Sequence, residues 1–217
     1  MTNTLKNLFI ANKNWVAEKL KADRHYFKRL VDQQSPEYLW IGCSDSRIPP
    51  NEIVGLAPGE LFVHRNVGNV VVHTDMNCLS VLQFAIDILK VKHVIVCGHY
   101  GCSGVRTAMD NKQHGLIDNW LRNIKDVYKQ HLPELMKIKN HEARMKRLCE
   151  LNVREQVLNV CYTRFVQNAF DRKQDLTVHG WIYDVGEGLL KDLGLSITKK
   201  SQFDRLYHLN SKDKSVR

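Results

Sequence analysis

The chain predicts an α/β fold, a central and mostly parallel β-sheet flanked by helices. Three observations predict it. Short, near-continuous apolar runs recur along the chain, as strands buried on both faces require. Segments with apolar residues at helical spacing separate those runs. Glycines or short polar loops follow the runs, at the strand ends where such sheets build their sites.

The elements follow in order. Residues 4–32 read as a helix, since Leu5, Leu8, Phe9, Val16, Leu20, Phe27, Leu30 and Val31 recur at helical spacing between charged residues. Taken with its flanks as 1–35, this segment is either an arm packing on a partner subunit or a helix on its own core. Tyr38-Leu39-Trp40-Ile41 ends at Gly42 and reads as a buried strand. Residues 60–64 read as a second strand, and Thr74 is placed to cap a helix over 75–90. His93-Val94-Ile95-Val96-Cys97 is rich in β-branched residues and stops at Gly98, the clearest strand of all. A helix starts near Ser103, and 116–131 and 140–172 follow as mostly helical, broken around Pro133. Residues 175–183 read as the last strand, with Gly186 and Gly188 marking the turn after it.

At 217 residues, without a Pro/Gly/Ser-rich linker, the chain is expected to form one domain over 1–210, with 211–217 a disordered tail. No run approaches the ~18 apolar residues of a membrane span. The N-terminus lacks the apolar stretch of a secretory signal, so a cytoplasmic protein is expected. The net charge of +9 is read as a lysine-rich solvated surface and not a nucleic-acid interface, because the positives are not interleaved with aromatics. Such a field still draws in small anions. In a reducing compartment six cysteines do not imply disulfides. Cys78, Cys97, Cys149 and Cys161 read as buried thiols.

Cys43 and Cys102 have different company. Cys43-Ser44-Asp45-Ser46-Arg47 and His99-Tyr100-Gly101-Cys102 each follow a strand-like run. Together they offer two thiols, an imidazole and a carboxylate, a full ligand set for one tetrahedral zinc. In an extended segment Cys43, Asp45 and Arg47 share a face. Thiolates favour zinc over magnesium or calcium. Asp45 has two resting places, on zinc or in a bidentate pair with Arg47, and leaving zinc opens a position for water. Two thiolates cancel the ion's charge, so activity is expected to rise toward alkaline pH.

At these residues the chain resembles the beta-class carbonic anhydrases, of the bacterial and bicarbonate-regulated kind. The matching text is Trp40 to Arg47 (Trp-Ile-Gly-Cys-Ser-Asp-Ser-Arg), Gly59 to Gly68 (Gly-Glu-Leu-Phe-Val-His-Arg-Asn-Val-Gly) and Cys97 to Cys102 (Cys-Gly-His-Tyr-Gly-Cys). The likeness runs from roughly residue 1 to residue 195 and includes His179-Gly-Trp-Ile-Tyr183. It implies reversible hydration of carbon dioxide to bicarbonate by attack of a zinc-bound hydroxide. One Zn2+ per chain would sit on Cys43, His99 and Cys102, with Asp45 as fourth ligand or as partner of Arg47. It implies a homo-oligomer, a dimer or a dimer of dimers, with the N-terminal helix reaching across to its partner. A non-catalytic, allosteric bicarbonate pocket would be formed by Trp40, Arg65 and Tyr183. One departure is Ser103-Gly104, where relatives often carry two glycines. Hydrolysis of carbon disulfide or carbonyl sulfide on the same scaffold is the alternative, and neither nucleic acid nor membrane is an expected partner.

Overall fold

The structure is a computed structural model and describes residues 3–31 and 34–209. The tail expected over 211–217 lies outside the described residues. The chain divides into two compact units, Met1–Ser35 and Pro36–Arg217.

In the first unit, helix α1 (Asn3–Ala22) ends ten residues short of the expected 32. The Asp23 carboxylate stops it by accepting the His25 backbone N–H at 2.9 Å, which folds the chain into a turn. Trp15, Tyr26 and Phe27 then meet edge to face, with ring centroids 5.0 to 6.3 Å apart.

The second unit runs β1 (Tyr38–Cys43), α2 (Pro50–Val54), β2 (Leu61–Asn66), α3 (Met76–Gln83) with a π-helical turn (Phe84–Ile88), and β3 (His93–His99). It continues through α4 (Ser103–Ala108), α5 (Ile117–Gln130), α6 (Leu132–Leu135), α7 (His141–Tyr162), α8 (Arg164–Asp171), β4 (Thr177–Asp184) and β5 (Leu189–Ile197). The cap of α3 is Asp75 and not Thr74, its carboxylate accepting the Asn77 N–H at 3.0 Å. The segment 140–172 is two helices, because Thr163 adopts an extended backbone between α7 and α8. Nor is β4 the last strand. β5 returns antiparallel along its edge after the turn at Gly186 and Gly188, with Asp192 and Lys191 among its residues.

The sheet order is β2-β1-β3-β4-β5, with the first four strands parallel. The chain leaves β1 toward β2 and returns on the other side as β3, so the order reverses at the β1/β3 pair. Open α/β sheets bind ligands beyond the carboxyl ends of their strands at such a switch point. Side chains alternate across β1. Leu39 and Ile41 enter the main core beneath α3, α4, α5 and α7, whereas Trp40 joins a smaller cluster with Leu61, Ile95 and Cys97 on the opposite face. Helix α7 lies close against β3: a Cβ added at Gly98 would meet Val153 Cγ2 at 2.6 Å, so a larger residue there would push the end of β3 away. Among the described residues no helix is long and apolar enough to cross a membrane.

Candidate metal centre

Two strand ends and one turn build the site. Cys43 is the last residue of β1 and His99 the last of β3, the two strands flanking the switch point. Cys102 immediately precedes α4, one turn beyond His99. Gly101 makes that turn with φ +70°, a conformation L residues rarely adopt. The ligand atoms of Cys43, His99 and Cys102 all lie within 4.8 Å of one another, and all three side chains are buried.

The geometry fits a zinc ion. The two sulfurs are 3.9 Å apart. Two Zn–S bonds of about 2.3 Å at a tetrahedral angle would place them about 3.8 Å apart. His99 is 1% exposed, and its Nδ1 lies 3.0 Å from the Tyr100 carbonyl. A carbonyl only accepts, so Nδ1 carries the proton and Nε2 presents its lone pair. That Nε2 is buried and has no hydrogen-bond partner among the described residues. An orphaned buried acceptor is costly unless something binds it. The two thiols influence each other: hydrogen bonding from Cys102 pulls Cys43 well below the ordinary thiol range, while the same bond and burial push Cys102 well above it. The Gly68 N–H also donates to Cys43 Sγ at 3.4 Å.

Asp45 sits beside this cluster, with its carboxylate held by Arg47. Arg47 holds its carboxylate in a fork, Nε to Oδ1 at 2.9 Å and Nη2 to Oδ2 at 2.7 Å, and the Arg47 backbone N–H adds a third bond at 3.0 Å. These bonds hold the Asp45 carboxyl far below the usual carboxylate range. Its Oδ2 is 3.8 Å from His99 Nε2. Tetrahedral nitrogen and oxygen ligands of one zinc would be about 3.3 Å apart.

The expected bicarbonate pocket consists of Trp40, Arg65 and Tyr183. Trp40 and Tyr183 pack in the smaller apolar cluster, and the Trp40 indole N–H is buried without an acceptor among the described residues. Arg65, on the neighbouring strand and paired with Gly42, donates from Nε to the Cys43 carbonyl at 2.7 Å and from Nη2 to the Asp45 carbonyl at 2.5 Å. Sequence reasoning missed this contact, since carbonyl acceptors carry no residue signature.

It also missed a second grouping, His64, Asp75 and Cys78, whose ligand atoms again lie within 4.8 Å of one another. Here the imidazole Nε2 already has a partner. The Val70 backbone fixes the Asn66 amide, which donates to Val70 O and accepts from Val70 N, each at 2.8 Å. The second Asn66 N–H then points at His64 Nε2, 3.2 Å away. Burial lowers the His64 pKa and pushes the Cys78 thiol up to about 12.

The family model described as carbonic anhydrase matches residues 38–190. A carbonic anhydrase of Emericella nidulans is 48% identical over 195 residues, covering 90% of this chain and 86% of that protein. A Coccomyxa beta-carbonic anhydrase, solved with acetazolamide, superposes with a TM-score of 0.88 at 39% identity, covering 93% of this chain and 91% of that one. One of two tetrameric beta-carbonic anhydrases of Sordaria macrospora gives a TM-score of 0.86 at 38% identity, over 90% and 99% of the two chains. These relatives give the carbon disulfide or carbonyl sulfide alternative no support.

Proposed function

The chain belongs to the beta-class carbonic anhydrases, enzymes of reversible carbon dioxide hydration, and on that premise we propose that Cys43, His99 and Cys102 hold one zinc ion per chain. The observation carrying this reading is the buried His99 Nε2, without a hydrogen-bond partner among the described residues and beside two sulfurs at zinc-ligand spacing. A bound zinc supplies Lewis acidity and acidifies a water in its fourth position, less strongly than a three-histidine site because two thiolates cancel its charge.

The chain's own residues do the rest. The Tyr100 carbonyl holds His99 in the tautomer that leaves Nε2 free. Arg47 keeps the Asp45 carboxylate 3.8 Å from His99 Nε2, where it could accept from a water on a bound ion. Held ionised, Asp45 accepts a hydrogen bond from the attacking water and aims its lone pair at the carbon of carbon dioxide. Its depressed pKa makes it a poor resting place for a proton, so the proton released passes to solvent buffer. Released from Arg47, the same carboxylate would be a candidate fourth ligand for the ion.

A homo-oligomer, a dimer or dimer of dimers with the N-terminal arm on the partner, belongs to this reading. The exposed Leu8, Phe9 and Ile10 of α1 support it. Regulation by bicarbonate at Trp40, Arg65 and Tyr183 draws support from the unpartnered Trp40 N–H alone, because an anion would have to draw Arg65 off two carbonyls. Six unpaired thiols support a reducing compartment such as the cytoplasm.

The test is stopped-flow carbon dioxide hydration with zinc analysis on wild type and Asp45→Asn. We expect zinc to stay and hydration to fall by about 10²–10³-fold, the usual loss when one preorganised polar group at a reacting centre is removed. Full activity in the variant would remove the carboxylate from the mechanism.

A further inference from the structure

Arg65 spends its guanidinium on the backbone of the metal loop. Beyond Cys43 the ladder with β2 is over, since Cys43 and Asn66 are the last paired residues. One more bond, from the Ser44 N–H to the Asn66 carbonyl at 2.9 Å, follows the chain out of the sheet. From there the loop is held by Arg65, which spans the carbonyls of Cys43 and Asp45 on either side of Ser44. A rigid planar fork fixes two acceptors relative to one another in a way a single ammonium cannot. The Asp45 carbonyl also receives the Ile48 N–H at 3.1 Å, so both ends of this residue are occupied. One guanidinium grips its carboxylate and another its carbonyl.

We propose that Arg65 is a positioning residue that latches the Cys43–Ser44–Asp45 backbone so that the Asp45 carboxylate stays on Arg47 and the fourth metal position stays open. The proposal rests on the metal site proposed above. The Asp45 Oδ2 lies 3.8 Å from His99 Nε2, so a small movement carries it into ligand range. Where the step is so short, the backbone beneath the carboxylate decides which side it rests on. Without the latch the loop relaxes, and the carboxylate competes with any outside ligand for the metal.

Cobalt substitution tests this without measuring activity. Cobalt-loaded wild type, Arg65→Gln, Arg65→Lys, Asp45→Ala and the Arg65→Gln/Asp45→Ala double variant are titrated with azide, and the shift of the visible cobalt bands gives its Kd. Wild type should bind azide at the open position. Arg65→Gln should bind at least about tenfold more weakly, the scale of one lost charge-assisted hydrogen bond, and Arg65→Lys should fall between. The double variant should match Asp45→Ala, because no carboxylate is left to compete. Equal azide affinity in wild type and Arg65→Gln, or a loss that persists in the double variant, overturns the proposal. If Arg65→Gln does not fold, Arg65→Lys carries the same comparison, with an unchanged Kd overturning it. Absence of a thiolate-to-cobalt charge-transfer band in wild type removes the metal site itself; a normal band with unchanged azide binding removes only the role of Arg65.

Discussion

Among the described residues two groups of metal-ligand side chains converge, and they differ in what their histidines are bonded to. Cys43, His99 and Cys102 meet at the switch point of the sheet; His64, Asp75 and Cys78 meet between β2 and the start of α3. By residue type and spacing the two are close to equal. They differ at one nitrogen. His99 donates from Nδ1 to a carbonyl, and its buried Nε2 has no partner among the described residues. His64 Nε2 lies 3.2 Å from an Asn66 amide whose orientation the Val70 backbone fixes. The thiols differ in the same sense. Cys43 is drawn toward the thiolate by its neighbours, and burial holds Cys78 as a thiol. An unsatisfied lone pair, more than convergence of ligand types, separates a site from packing.

The two histidines should give the largest contrast. Replacing His99 by Ala should reduce bound zinc to a small fraction of one per chain and abolish hydration. Replacing His64 by Ala should leave zinc stoichiometry intact and cost roughly 1–3 kcal/mol of stability, as loss of a buried hydrogen-bonded side chain does. Metal analysis and denaturant unfolding read both effects, and equal zinc loss in the two variants would erase the distinction.

The thiols give the next largest contrast. In metal-stripped protein at neutral pH, Cys43 should react with iodoacetamide more than about a hundredfold faster than Cys78, because only the thiolate attacks. Peptide mapping of the labelled protein measures it, and similar rates at both positions would contradict the assigned protonation.

The smallest effects concern pH. Burial depresses the folded-state pKa of His64, so the unfolded chain binds its proton more readily. The contribution of neutral His64 to stability is therefore complete above about pH 6.5 and is lost as pH falls through the folded value. Asp45 is also depressed, and its pair with Arg47 is complete above about pH 4 and lost only in stronger acid. Melting temperatures between pH 5 and 8 should fall on the acid side in wild type and flatten in His64→Gln. An unchanged slope in that variant would assign the acid sensitivity to another group.

Much of this was legible in the sequence, for reasons that can be named. The ligands could be read because each ends or follows an apolar strand run, and a strand end in a parallel sheet is a place with a function. The strand β3 was plain, yet its last residue, His99, reads as loop in sequence because Gly98 interrupts the apolar pattern. β5 was missed because it is an edge strand, with charged Lys191 and Asp192 and a Gly194 at φ +67° in place of clean alternation. Thr163 ends α7 through its backbone conformation, which its residue type does not announce. The Arg65 contacts were invisible for a different reason: a guanidinium binding carbonyls leaves no mark on the residues that accept it.

Zinc-edge X-ray absorption on purified wild type and Cys102→Ser reads the coordination directly. Wild type should show two sulfur neighbours at about 2.3 Å and two nitrogen or oxygen neighbours at about 2.0–2.2 Å, with one sulfur lost in the variant. A zinc-free protein, an all-sulfur shell, or two sulfurs retained in Cys102→Ser would contradict that coordination.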